Sequence, residues 1–166
     1  MSPVDIRPIG PDDREALAEA FAALSARSRQ QRFLGPKPRL SARELTYFTE
    51  IDHVSHEALV AVEPASGRLV GVARYATARP SELAADLAVV VADDWQRRGI
   101  GTALASGVVE RARANGIARL TGTTYVDNVA ARALLRRLGF GVRSVSGGEM
   151  ELELDLVAAR IEARAA

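Results

Sequence analysis

The chain has 166 residues, 48% of them hydrophobic and 26% charged, the composition of one globular domain with a proper core. Its 22 basic and 21 acidic residues leave a net charge of +1, so no global field points to nucleic acid or to a membrane surface. Cysteine is absent, which excludes disulfides, thiolate catalysis and cysteine-ligated zinc. No basic-then-apolar leader is visible at the N-terminus and no apolar run approaches the roughly 20 residues that span a bilayer, so a cytoplasmic protein is expected.

Residues 4–8 alternate weakly and predict a short first strand. Pro11, Asp12 and Asp13 then supply a turn and an N-cap. The helix that follows runs to about Leu24 with Ala16, Leu17, Ala20, Phe21 and Leu24 on one face. Residues 25–31 are polar and basic, and 33–38 read as a loop containing Gly35, Pro36 and Pro38. Ser41 with Glu44 three residues on forms a capping box for a second helix, to which Leu45, Tyr47 and Phe48 give an apolar side.

Residues 58–62 and 69–76 predict two antiparallel strands joined by the turn residues 63–67. A strand follows over 83–92, then a helix over 101–114 closed by Asn115 and Gly116, then a strand over 120–125. Asp127 or Asn128 caps the next helix, which carries Ala130, Leu134 and Leu138 and stops at Gly139. Residues 140–145 and 149–154 form a last hairpin around Ser146, Gly147 and Gly148, and a terminal helix is expected over 155–164. This order predicts an α/β (α+β) fold: a mixed sheet of about seven strands with helices on both faces.

The most informative stretch runs from Asp86 to Leu104. An apolar β-branched strand ends in Gln96-Arg97-Arg98-Gly99-Ile100-Gly101-Thr102, and a helix begins there. Such a turn presents unpaired backbone N–H groups at the positive end of a helix dipole, and glycine lets a ligand approach without meeting a Cβ atom. It therefore suits phosphate oxygens. A nucleotide-triphosphate P-loop is excluded, because no Gly-Lys pair occurs in the chain. A dinucleotide fingerprint fits poorly: Leu104 stands where a third small residue is needed, and Thr121 and Gly122 stand where an acidic residue is needed.

The segment Gln96-Arg97-Arg98-Gly99-Ile100-Gly101 resembles the acetyl-CoA diphosphate motif of the GNAT family of N-acyltransferases, Gln/Arg-x-x-Gly-x-Gly/Ala between the fourth strand and the following helix. Asn128 to Phe140 resembles the second signature of that family, a strand followed by Asn, a short helix and Leu-Gly-Phe. The resemblance covers roughly residues 4–154 and implies a single domain over 1–166, mostly antiparallel and splayed between the fourth and fifth strands. It further implies that Gln96, Arg97, Arg98, Gly99, Ile100, Gly101 and Thr102 cradle the diphosphate of acetyl-CoA. On the same resemblance the main chain of Val89, Val90 and Val91 pairs with the pantetheine arm, and Asn128 contacts the cosubstrate near its thioester. As a bare residue, Asn128 is equally well explained as a helix N-cap.

Asp86 interrupts the apolar strand ten positions before Gln96. A lysine-like amine with a pKa near 10.4 is neutral in only about one part in two thousand at pH 7, so its attack on a thioester needs a base. Family members that acetylate protein lysines commonly carry Glu at this strand position. Asp is one methylene shorter and would act directly or through a bridging water, and burial beside the valines is expected to raise its pKa. The competing reading is an Asp that bonds to backbone at a strand entry. The tyrosine that many family members place before Leu-Gly-Phe is replaced here by Leu134 and Leu135, with Tyr125 as a possible substitute acid.

His53 and His56 lie near Asp52 and Glu57, but Asp-His-x-x-His is not an established zinc spacing, so no metal is expected. Arg27, Arg29, Arg32, Lys37 and Arg39 read most simply as a solvated basic face. The stretch 25–62 resembles the catalytic domain of bacterial protein-lysine acetyltransferases, and the nucleotide-binding or ligase-like domain that those enzymes often carry is not expected within these 166 residues. The expectation is transfer of an acetyl group from acetyl-CoA to a primary amine, a protein lysine first, by direct attack in a ternary complex. The alternatives are a small-amine or antibiotic acetyltransferase and a non-catalytic acyl-CoA sensor. No nucleic acid or membrane partner is expected, and the oligomeric state stays open.

Overall fold

The computed structural model describes residues 4–157. Seven strands form one sheet in the order β1-β2-β3-β4-β5-β7-β6: β1 (Asp5–Pro8), β2 (His56–Val62), β3 (Leu69–Thr77), β4 (Ala84–Val91), β5 (Arg119–Tyr125), β6 (Gly141–Ser146) and β7 (Glu149–Asp155). Every neighbouring pair is antiparallel except β4 and β5. The helices are α1 (Arg14–Ala23), α2 (Ala26–Phe33), α3 (Ala42–Thr49), α4 (Ile100–Ala114) and α5 (Val129–Arg137).

Side chains alternate across each strand, so the sheet carries two cores. On one face Leu59, Ala73, Tyr75, Leu87 and Leu120 pack against Ile100, Leu104, Val108 and Val109 of α4 and Leu135 of α5. On the other face Ala58, Val60 and Val72 pack with Ile9 and Leu17, with Leu45, Phe48 and Val90 closing over them. Helix α4 sits very close to the sheet, and this needs glycine: a Cβ on Gly107 would lie 2.7 Å from Leu59 Cδ1. No described helix is long and apolar enough to cross a membrane.

The capping box at Ser41 and Glu44 is formed, with Ser41 Oγ accepting from the Glu44 amide and the Glu44 carboxylate accepting from the Ser41 amide. Lys37 and the Ser41 groups hold the Glu44 carboxyl down to about 2. The polar, basic stretch before the 33–38 loop, for which the sequence predicts no helix, forms helix α2 (Ala26–Phe33), capped by Ser25, whose Oγ accepts from the Ser28 amide. The helix has no apolar stripe to betray it; its buried residue is Ser28, bonded to Asp93. At the far end β7 runs through Asp155, and most of the terminal helix expected over 155–164 lies outside the described residues.

Candidate active site

Strands β4 and β5 are joined by only three rungs, Ala84 to Arg119, Ala85 to Leu120 and Asp86 to Thr121. Beyond Asp86 they part, and a cleft of about 520 Å³ opens between Leu87–Val91 on one side and Gly122–Thr124 on the other. Its floor is closed by Leu134 and Leu135 of α5, and α2 contributes Ser28, Gln31 and Arg32 to its wall. Parallel pairing of β4 and β5 sets the wedge, because the crossover through α4 brings β5 back alongside only the first half of β4.

The glycine turn lies at the wide end of the wedge. Gly99 is the N-cap of α4 and adopts the left-handed conformation with φ of 81°, and Arg97 also has positive φ, at 60°. The amides of Ile100, Gly101 and Thr102 are the first three of the helix and have no intrahelical acceptor. Gly99, Gly101, Thr102, Gln96 and Arg97 line the cleft. A Cβ on Gly99 would meet nothing within 4 Å, so the space over that backbone is open. The Ile100 side chain is buried in the core and leaves only its backbone to the turn.

The two arginines of the turn separate. Arg97 faces the cleft, whereas Arg98 donates from Nη2 to the Asp94 carbonyl at 2.8 Å and lies 4.8 Å over the Trp95 ring. Gln96 donates to the Val91 carbonyl at 3.1 Å and reaches Ser28 Oγ at 3.4 Å. The Asp93 carboxylate accepts from the Ser25 amide and from both Ser25 and Ser28 hydroxyls, and these donors hold it below the usual carboxylate range against the opposing effect of burial. Helix α2 is thus tied directly to the turn.

Val89 and Val91 direct their side chains toward α4, within 3.9 and 3.5 Å of where a Gly101 Cβ would stand, while Val90 packs on the opposite face. Their main chain past Asp86 has no β5 partner and borders the cleft. Asn128 caps α5, its Oδ1 accepting from the Ala131 amide at 3.1 Å, and it also lines the cleft. Tyr125 does not line it, and Leu134, one of the two leucines at the expected tyrosine position, does.

Asp86 sits at the vertex, the last paired residue before the strands diverge, and Thr121 Oγ1 donates to its Oδ1. It is exposed, so the burial expected beside the valines is not found. The reason is geometric: Asp86 shares a face with Ala88 and Val90, and among the described residues no helix covers that face at its end of the strand, while the neighbouring Ala85 and Leu87 take the buried side.

His53 and His56 do not converge. His53 Nδ1 lies 2.8 Å from Glu57 Oε1, and His56 Nε2 is 3.0 Å from Arg74 Nη1, and no group of three metal-ligating side chains occurs among the described residues. Burial and the Arg74 charge lower the His56 pKa to about 4. The basic cluster is not uniformly solvated. Arg32 turns inward, and burial lowers its pKa to about 10. Arg74, which shows no pattern signal in a strand of otherwise small and apolar residues, is 6% exposed and lowered by burial and by Arg32 to about 9.

The family model described as the acetyltransferase (GNAT) family matches residues 21–140. Acetyltransferase PA5475 of Pseudomonas aeruginosa is 35% identical over 137 residues, 81% of this chain and 73% of that protein. Acetyltransferase Pat of Mycolicibacterium smegmatis is 31% identical over 134 residues, and the match takes in 81% of this chain but 40% of the length of Pat. The GNAT domain of S. lividans PAT has the same fold at a TM-score of 0.83 and 30% identity, over 92% of this chain and 90% of that one. An acetyltransferase from Salmonella typhimurium solved with acetyl-CoA shares the fold at a TM-score of 0.76 and 21% identity. The splayed sheet, the glycine turn that begins α4 and a family match over residues 21–140 together establish that the chain belongs to the acetyltransferase (GNAT) family of acetyl-CoA-dependent transferases.

Proposed function

We propose that the chain transfers the acetyl group of acetyl-CoA to a primary amine, with a protein lysine as the first acceptor, and that Asp86 is the base. The observation that carries this reading is the wedge itself, with free helix amides at its wide end and a carboxylate at its vertex. In this reading the diphosphate is held by the backbone from Gly99 to Thr102, with Gln96, Arg97 and Arg98 shaping the turn. The pantetheine arm runs along the unpaired edge at Val89, Val90 and Val91, and Asn128 stands across the cleft from it.

Asp86 takes a proton from the acceptor ammonium, directly or through water. The neutral amine nitrogen then forms a bond to the thioester carbonyl carbon, the C–S bond breaks to release the CoA thiolate, and the second proton leaves the nitrogen for that thiolate, giving the neutral amide and CoA thiol. A thiol with a pKa near 8.5 leaves without an obligatory acid, which agrees with Leu134 in the position where a tyrosine would supply one. The lysine acceptor is supported by the exposure of Asp86 on an open face, which leaves room for the side chain of a folded protein.

CoA release with acetyl-CoA and a panel of folded proteins, lysine peptides and small amines tests the reading. Turnover of lysine peptides or proteins supports it. Turnover of small amines alone moves the acceptor to the small-molecule class, and no CoA release with any amine removes the reading.

A further inference from the structure

Two arginines on the acceptor side of the sheet have no acid to answer them. Arg74 projects from β3 opposite Ala88, on the face that Asp86 shares and one rung along from it, about 7 Å at strand spacing. Its Nη1 donates to the Phe48 carbonyl at 3.3 Å and to His56 Nε2 at 3.0 Å, and its guanidinium lies 4.4 Å over the Phe48 ring. Arg32 comes from α2 and rests 4.7 Å over the Phe33 ring, with no hydrogen bond to any described residue. Among the described residues no carboxylate pairs with either, although Arg7, Arg68, Arg111 and Arg113 each find one.

The pair is also where two spaces meet. Arg32 lines both the main cleft and an apolar recess of about 50 Å³ between the helices and the sheet, into which Phe21, Phe33, Phe48 and Arg74 also face. Arg74 is withdrawn from water and Arg32 is half-buried beside it, so their like charges repel with reduced hydration, a cost that an anion offsets through paired N–H donors. Arg74 stands opposite Ala88, three residues or about 10 Å of strand before β4 ends, and the diphosphate turn follows only after Gln96, so an anion between Arg32 and Arg74 is distinct from the diphosphate in that turn.

We propose that Arg32 and Arg74 receive a carboxylate of the acceptor, so that the molecule acetylated carries a carboxylate close to its reacting amine. This rests on the transferase reading above and narrows its acceptor. Asp86 then holds the amine end while the arginine pair holds the acid end, and the small aromatic recess lies beyond Arg74, on the side away from Asp86.

Acetyl-CoA turnover with L-leucine and L-phenylalanine is compared with turnover of their carboxamides, and a central-lysine peptide flanked by glutamate with its glutamine counterpart. The acid form is expected to win in kcat/KM by about tenfold or more in one arm, which names the source of the carboxylate. In Arg32→Gln that ratio falls toward one, and Arg32→Lys, which keeps the charge without the fork, lies between. Far-UV circular dichroism and a cooperative melting transition report that the variants are folded. In a second readout independent of turnover, N-acetyl-L-leucine raises the melting temperature of the CoA-saturated protein, its carboxamide does not, and Arg32→Gln abolishes the difference. Equal turnover of acid and amide forms in both arms, equal thermal shifts, or a preference that survives Arg32→Gln overturns the site. If no amine releases CoA yet the acid alone shifts the melting temperature, the transferase reading fails and the anion site stands.

Discussion

Thr121 holds Asp86 from across the last rung of the β4–β5 ladder, its Oγ1 donating to Asp86 Oδ1 at the point where the two strands part. The hydroxyl fixes the carboxylate at the vertex and leaves its second oxygen for a proton. Asp86→Asn is expected to lower kcat by about 10²- to 10⁴-fold, the range for removal of a general base, with acetyl-CoA affinity unchanged. Thr121→Val should cost about tenfold through misplacement alone. Steady-state CoA release with calorimetry on both variants checks this, and a full rate for Asp86→Asn across pH takes the base role from Asp86.

The two glycines of the turn should respond in opposite ways. Gly99 has φ of 81°, so Gly99→Ala is strained despite the open space around it and should destabilise by about 1–2 kcal/mol while distorting the anion cradle. A Cβ on Gly101 would make only ordinary contacts, 3.5 Å to Val91 and 3.6 Å to Leu134. Gly101→Ala should therefore gain up to about 1 kcal/mol from helix propensity and keep its acetyl-CoA affinity. Urea denaturation and calorimetry on the two variants separate these outcomes.

Glu57 is 1% exposed and fully engaged: Oε1 accepts from the Ala58 amide and meets His53 Nδ1, both at 2.8 Å, and Oε2 accepts from Arg111 at 2.9 Å. These contacts clamp β2 to α4 far from the cleft. Glu57→Ala leaves three groups without their acceptor and should cost about 3 kcal/mol, since the Arg111 end is partly in water and recovers some solvation. Thermal unfolding should show a drop of about 6–12 °C, with a smaller loss for Glu57→Gln.

His56 makes stability depend on pH. Its folded pKa, lowered to about 4 by burial and by Arg74, lies below the ordinary value near 6.5, so the unfolded chain binds the proton more readily. The stabilisation from keeping His56 neutral is complete above pH 6.5 and is lost as pH falls from 6.5 to 4. The full shift corresponds to about 3 kcal/mol, reduced to the extent that water reaches the ring beside the half-exposed Tyr47. Denaturation midpoints from pH 4 to 8 should show this acid limb, and His56→Gln should flatten it.

The parts of the molecule with local chemical signatures were readable before any coordinates. Ser41 and Glu44 cap α3 as their spacing predicts, Asn128 caps α5, and the glycine turn opens α4. Helix α2 escaped because its partners are distant: Ser28 is satisfied by Asp93 and Gln96 reaches the same hydroxyl, so polarity here marks tertiary docking rather than a solvated loop. The surroundings of Asp86 escaped for a related reason. Alternation along β4 tells which residues share a face with it, but which stretch of that face a helix covers is decided by chain brought in from residues 26–49. The wedge between β4 and β5 was implied by family likeness, since no residue in either strand encodes where a parallel ladder stops.

The sheet stays incomplete by design of its register: after three rungs, two facing strand edges run on with main-chain donors and acceptors turned toward each other across a gap too wide to bridge. In the proposed function, the extended amide-bearing arm of the cosubstrate lies in that gap as an eighth strand, stitching the halves β1–β4 and β5–β7 into one continuous ladder. A cosubstrate bound in this way would be a structural member as well as a reagent, and saturating acetyl-CoA would then raise the melting temperature.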